Sequence, residues 1–439
     1  MSLHGARCAV IALVSLALSW GSASAQDYKY PYRDPYLATI TTAVLNADGH
    51  TPGAKRQVVH VPVLPGRNGL PTLEGRGDLS VALYSQGRPA PLIFIVSGIG
   101  SNPYFGAATY FAGLFHARGF HVVIMPSPMS WNFALAASRS GAPGYVPEDA
   151  RDLYVAMQKT LEILKTRSKL RITRIDFMGV SLGALEGAYL SVLDAKEGKL
   201  GIEKYLLANP PADLTFAMKK LDEMDALREK FGRAKSEGIM LKAMAVAEPF
   251  TEERREHPDF GKLVKGFAVF TNEELQFLIA GYLELVLPEL VYVSEVIQEH
   301  NAGKVTPPEA RKRIQDAKTF TFSEYSEKIG VPVWRAQTGQ PQADLETFTR
   351  QGSLAPILGD LRGNPRVYIV HNADDFLVEG KSLDELKDAL GSRMVVYPYG
   401  GHLGNLWYPP TRDYVLDLFG TSPSSRDCLA SAAGSSTCR

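Results

Sequence analysis

A serine held between two glycines, in Gly179-Val180-Ser181-Leu182-Gly183, constrains this chain more than any other stretch. The apolar run Ile175-Asp176-Phe177-Met178 precedes it, and a helix-like stretch, residues 184–193, follows. A chain that leaves a strand and enters a helix through Gly-x-Ser-x-Gly turns sharply at the serine, and bulky flanking side chains would collide with neighbouring strands and helix. Such a turn lifts the hydroxyl out of the sheet, and the helix N-terminus behind it favours developing negative charge. The five-residue pattern is weak by itself, so its meaning depends on context.

The context is an alternation of strand-like and helix-like segments, which predicts an α/β architecture with a mainly parallel sheet flanked by helices. Residues 37–45, 58–64 and 79–84 read as strands between Gly/Pro turns. Residues 91–97 form a continuous apolar run, as expected of a strand buried on both faces. A helix over 105–117, a strand over 121–125 and a helix over 149–166 lead to the strand before Ser181, and 204–208 reads as the next strand, closed by Asn209-Pro210-Pro211. The rhythm then breaks. Residues 213–330 are rich in Lys, Glu, Leu and Met, with helical periodicity and no convincing strand, and read as an inserted helical cap. Strands at 366–370 and 394–397 and helices at 382–390 and 411–419 follow it.

Within the insertion, residues 277–297 are long and apolar enough to suggest a membrane span, but Glu284, Pro288, Glu289 and Glu295 lie inside. Two packed helices broken at Pro288 are expected instead. Their apolar faces are either plain core or the roof of a pocket for an acyl or otherwise greasy substrate, with peripheral membrane contact through the cap as a further consequence.

The N-terminus carries an export signal. Arg7 supplies a positive charge, residues 8–20 an apolar core and Ala23-Ser24-Ala25 a small-residue cleavage site, so residues 1–25 are expected to be removed and the chain to be periplasmic or secreted. Of the cysteines, Cys428 and Cys438 then remain, both in a Ser/Ala/Gly-rich tail, 421–439, expected to be flexible. They either close a small loop in an oxidising compartment or stay as two free thiols. The charge balances at 47 basic and 47 acidic residues with no basic stripe, which argues against nucleic acid as a partner. His50, His60, His116, His121, His257 and His300 lack metal-ligand spacing, and no phosphate-binding glycine loop follows a strand, so neither metal nor nucleotide cofactor is implied.

A serine hydroxyl is a poor nucleophile until a base takes its proton, and that base needs a partner to fix its tautomer. Both are available downstream. His371-Asn372-Ala373-Asp374-Asp375-Phe376-Leu377-Val378 follows one late strand, and Gly400-Gly401-His402-Leu403 follows the last. His371, at the end of the acid-bearing strand, reads as structural, and His402 as the base.

In these features the chain resembles the α/β-hydrolase superfamily, over most of its length except the insertion and the tail. The resemblance implies a hydrolase core formed by 26–212 and 331–420. The family's acid commonly sits in a stretch like His-Gly-x-x-Asp-x-x-Val; laid on this sequence, that selects Asp375, with Asn372 in place of the usual glycine. Asp374 is the alternative acid and would otherwise brace the loop. The oxyanion donors implied are the N–H groups of Leu182 and Ile99, although Ser97-Gly98 stands where the family often has His-Gly. The expected activity is that of an exported serine hydrolase acting on a small-molecule carboxylic ester, lipid-like ester or thioester. A peptidase or amidase of the same fold, or a non-catalytic binding or scaffold protein on this frame, are the alternatives.

Overall fold

The computed structural model describes residues 28–40, 55–67, 69–73, 77–100, 104, 106–252, 265–300 and 304–420, with backbone alone at 248–252. The expected signal peptide 1–25, the tail 421–439 and its two cysteines lie outside the described residues.

Eight strands form one sheet: β1 (Arg56–Val61), β2 (Leu79–Tyr84), β3 (Ala90–Val96), β4 (His121–Met125), β5 (Ile172–Val180), β6 (Ile202–Ala208), β7 (Val367–Asn372) and β8 (Met394–Tyr397). Their order is β1-β2-β4-β3-β5-β6-β7-β8. β2 runs antiparallel to both β1 and β4, and every other pairing is parallel. The apolar run of β3 is buried throughout because the sheet is covered on both sides. Leu92, Phe94 and Val96 join the core under helices Val146–Thr166 and Leu182–Glu197, whereas Ile93 and Ile95 face the core under Ala107–Ala117 and Pro409–Leu418. Burying each such side chain favours folding by roughly 1.5–3 kcal/mol before chain entropy is charged against it.

Because β3, β5, β6, β7 and β8 are parallel, their C-terminal ends share one edge. The segments at Gly98-Ile99, Ser181, Asn209, Asp375 and His402 all leave from that edge, where open α/β sheets place their sites.

Between β6 and β7 the described residues are helical, with no strand. The helical run passes residue 330 without a break: the π-turn Ser326–Gly330 continues into Val331–Thr338, and two further α-helices, Leu345–Gly352 and Leu358–Gly363, precede β7. The apolar 277–297 stretch is indeed split, into Asn272–Glu284 and Leu287–Gln298, with Pro288 in the first turn of the second helix. Half of its most apolar window is buried inside the protein.

One expected strand is corrected. Residues 35–40, which include the first four of the 37–45 run, are helical, and 41–45 lie outside the described residues. Asp34 accepts the Leu37 N–H at 2.8 Å and Pro35 occupies the first turn, a start signal that outweighs the β-branched residues behind it.

Candidate active site

Ser181 adopts φ 54°, ψ −121°, a conformation that costs a non-glycine residue on the order of 1–3 kcal/mol. The surroundings hold it there. Its N–H donates to Ala208 O at 2.9 Å, and the next helix begins at Leu182. Gly179 and Gly183 are required by contact: a Cβ at Gly179 would overlap Gly183 O, and one at Gly183 would overlap Val96 O and lie 2.7 Å from Ser97 O. A Cβ at Gly98 would lie 2.8 Å from Ser181 Cβ, so the loop after β3 also passes directly over the serine.

His402 Nε2 lies 2.8 Å from Ser181 Oγ. On its other side, His402 Nδ1 lies 2.9 Å from Asp375 Oδ2 and 3.2 Å from Oδ1. A carboxylate only accepts, so Nδ1 carries the proton and Nε2 is left to accept from the Ser181 hydroxyl. Asp375 is buried, and burial alone would raise its pKa; the charge and hydrogen bond of His402 outweigh that, helped by His371 and Asn209, and hold it below the usual carboxylate value. Asn209 Nδ2 donates to its Oδ2 at 2.9 Å and the Leu377 N–H to its Oδ1 at 3.0 Å.

The alternative acid, Asp374, points elsewhere. It accepts the N–H groups of Gly401 at 2.8 Å and Gly400 at 3.2 Å, bracing the loop that carries His402. His371 is buried between Pro210 O and the Asn372 backbone, its pKa lowered by burial, with its Nδ1 3.9 Å from Asp375. Leu182 follows Ser181 directly and Ile99 lines both cavities that meet it, and neither residue's N–H has an acceptor among the described residues. Among those residues no cluster is arranged to hold a metal ion.

Several supporting residues were not legible beforehand. Asn372, which stands where the family has glycine, donates to Gly401 O at 2.8 Å and exchanges side-chain hydrogen bonds with Asn405. Thr39 Oγ1 accepts the His402 N–H at 2.8 Å across 363 positions of sequence. Asn209 did carry a signal, being the first residue after a strand end, but nothing local points it at Asp375.

Ser181 and His402 lie at the floor of a cavity of about 890 Å³, walled by apolar side chains that include Met240, Met244, Phe267, Phe277, Leu285 and Phe376. A second chamber, of about 80 Å³, meets Ser181 and also contains Glu186 and Asp149. Both carboxyls are buried, and neither Glu186 oxygen has a hydrogen-bond partner. Burial, then repulsion from Asp149 and Asp152 on the facing helix, pushes the Glu186 carboxyl well above its ordinary value near 4.5. The folded state therefore holds a proton that the unfolded chain releases above pH 4.5, so this group's contribution falls as pH rises from there. Glu186→Gln is expected to be the more stable protein at pH 8, by about 1–3 kcal/mol, with the gap closing towards pH 4.5. Thermal unfolding of both proteins across that range checks this; a wild type more stable at every pH would contradict it.

The sheet order, the direct strand-to-helix passage through a strained Ser181 and the placement of all site segments on one edge define the class: this chain has the α/β-hydrolase fold. No protein-family profile and no curated protein matches the sequence. Among solved structures it is similar to EstE1, a thermostable carboxylesterase cloned from a metagenomic library, at 15% identity over 88% of this chain and 92% of that one, TM-score 0.41. It is also similar to a hyperthermophilic esterase from Pyrobaculum calidifontis, at 14% identity over 86% and 88%, TM-score 0.39. A third similar structure is the acylaminoacyl peptidase of Pyrococcus horikoshii, at 12% identity and TM-score 0.39; 83% of this chain is covered but 40% of the peptidase, so the chain spans well under half its length.

Proposed function

We propose that the protein is a serine hydrolase that cleaves carboxylic esters bearing a long apolar limb. The observation that carries the reading is the continuous contact from Asp375 through His402 to Ser181 Oγ at the floor of a large apolar cavity. Ser181 attacks the carbonyl carbon as His402 Nε2 takes its proton, and Asp375 keeps the imidazole in the correct tautomer and stabilises the imidazolium. The Leu182 and Ile99 N–H groups receive the developing oxyanion. His402 then protonates the departing alkoxide, and water, activated by the same imidazole, releases the acid from the acyl-serine.

The size and lining of the cavity support a greasy substrate, and so does its mouth. Leu241, Met244 and Leu285 are 67%, 64% and 66% exposed while also lining the cavity, which supports a lipid-like substrate and peripheral contact with a lipid surface. Residues 1–25, with their charge, apolar core and Ala-x-Ala end, support export from the cytoplasm.

The test is fluorophosphonate labelling of the mature protein, with p-nitrophenyl esters from two to sixteen carbons supplied with and without lipid vesicles. Labelling should map to the peptide containing Ser181, and kcat/KM should rise with chain length by roughly tenfold or more across the series, as each added methylene buries further apolar surface. A folded protein that neither labels nor hydrolyses any ester would overturn the reading in favour of a binding role.

A further inference from the structure

The large cavity and the small chamber meet at one place. Ile99, Ser181 and Leu283 line both, so a bond held at Ser181 would send one limb into each space. The two spaces differ in chemistry. The large one is apolar and ample, whereas the chamber has room for only a few heavy atoms and contains two carboxyls in an otherwise mostly apolar wall.

Those carboxyls are unusual in what they lack. Glu186, on Leu182–Glu197, is 1% exposed, and both its oxygens are unpartnered. Asp149, on Val146–Thr166, is 3% exposed and accepts one hydrogen bond, from the Gly144 N–H at 2.6 Å. The nearby cation is committed elsewhere: Arg139 pairs with Asp152 and Glu148. Among the described residues neither Glu186 nor Asp149 has a cationic partner. A buried carboxyl without partners is costly, and hydrophobic replacements of similar volume are generally tolerated in such places, so its presence beside the nucleophile calls for a ligand that completes it.

We propose that this chamber is a subsite for a primary ammonium at the end of the substrate's short limb, with Glu186 and Asp149 as its acceptors. The inference rests on the serine-hydrolase reading and adds the substrate class: an ester that is apolar on one side and short and cationic on the other. An ammonium supplies three donors and the missing positive charge, and a two-carbon tether of that kind matches the chamber's volume of about 80 Å³. Burial pushes both carboxyls well above their ordinary values, favouring the protonated form in the empty chamber; an arriving cation favours the ionised form, the released proton passing to solvent.

The experiment compares decyl 3-aminopropanoate with decyl butanoate, which has nearly the same shape but no charge, on wild type, Glu186→Gln and Asp149→Asn. Wild type should prefer the cationic ester by at least about tenfold in kcat/KM, mainly through KM, and each substitution should collapse that ratio towards one. Two variants are used so that misfolding of one does not decide the result. A wild type that labels with fluorophosphonate but shows no preference for the ammonium overturns the subsite and leaves the hydrolase reading standing. A preference that survives both substitutions also overturns it, because the cation would then be held elsewhere. Failure of wild type to label or to cleave either ester would instead remove the hydrolase reading on which the subsite rests.

Discussion

Ser181→Ala should lower kcat by about six orders of magnitude and abolish fluorophosphonate labelling, and Asp375→Asn should cost about four. The reasoning for the second value is geometric. Asp375 Oδ2 faces His402 Nδ1 at 2.9 Å and also accepts from Asn209. An asparagine that keeps accepting the Leu377 N–H at the Oδ1 position puts its amide N–H groups at the Oδ2 position, against His402 Nδ1, which forces the proton onto Nε2 and leaves no acceptor for the serine hydroxyl. Asp374→Asn is the internal control. It weakens the bonds to the Gly400 and Gly401 N–H groups, so it should loosen the histidine loop and cost no more than about a hundredfold in kcat. Steady-state kinetics on an activated ester, with circular dichroism to verify folding, measures all three. If Asp374→Asn proved the more damaging of the two, the acid would have to be reassigned.

The second large effect concerns folding. Gly183→Ala should destabilise the protein by more than about 3 kcal/mol or prevent its accumulation. The added methyl meets Val96 O and Ser97 O, both backbone atoms of the strand end that carries the loop over Ser181, so no side chain can swing aside to accommodate it. The helix Leu182–Glu197 would have to move away from the sheet, opening the tightest part of the core. Gly238→Ala is the matching control: it too is helical, but its added Cβ meets nothing within 4 Å, so the better helix propensity of alanine should be neutral or slightly stabilising. Chemical denaturation of the two variants distinguishes this local crowding from a general intolerance of glycine replacement. Equal behaviour would contradict it.

What could be read beforehand follows from how local each signal is. The central buried strands announce themselves because a strand covered on both faces must be apolar throughout, so the expected spans at 91–97 and 121–125 fall on β3, to within one residue, and on β4. Ser181, Asp375 and His402 were nameable because each sits next to a strand end, and the structure brings these three within hydrogen-bonding distance. The residues that hold them were not, since Thr39 reaches His402 and Asn209 reaches Asp375 across long stretches of chain that no spacing rule connects. The run 37–45 suits a strand by composition, whereas the Asp34-Pro35 start signal just before it makes residues 37–40 helical. Glu186 passed unnoticed for a similar reason: a single glutamate one turn into a helix looks ordinary until its lack of any partner is known.

The hydrogen bond between Thr39 and the His402 backbone joins segments 363 positions apart. Pro35 packs so closely on Gly401 that a methyl there would not fit, and Tyr36 lies against Phe376, whose ring neighbours the imidazole. A residue made early in synthesis relative to His402 thus seats the base, 363 positions later. On the proposed mechanism, Ser181 has no correctly held proton acceptor until the two have met. On that mechanism, the onset of turnover during refolding is a clock for the closure of a loop that spans 363 positions.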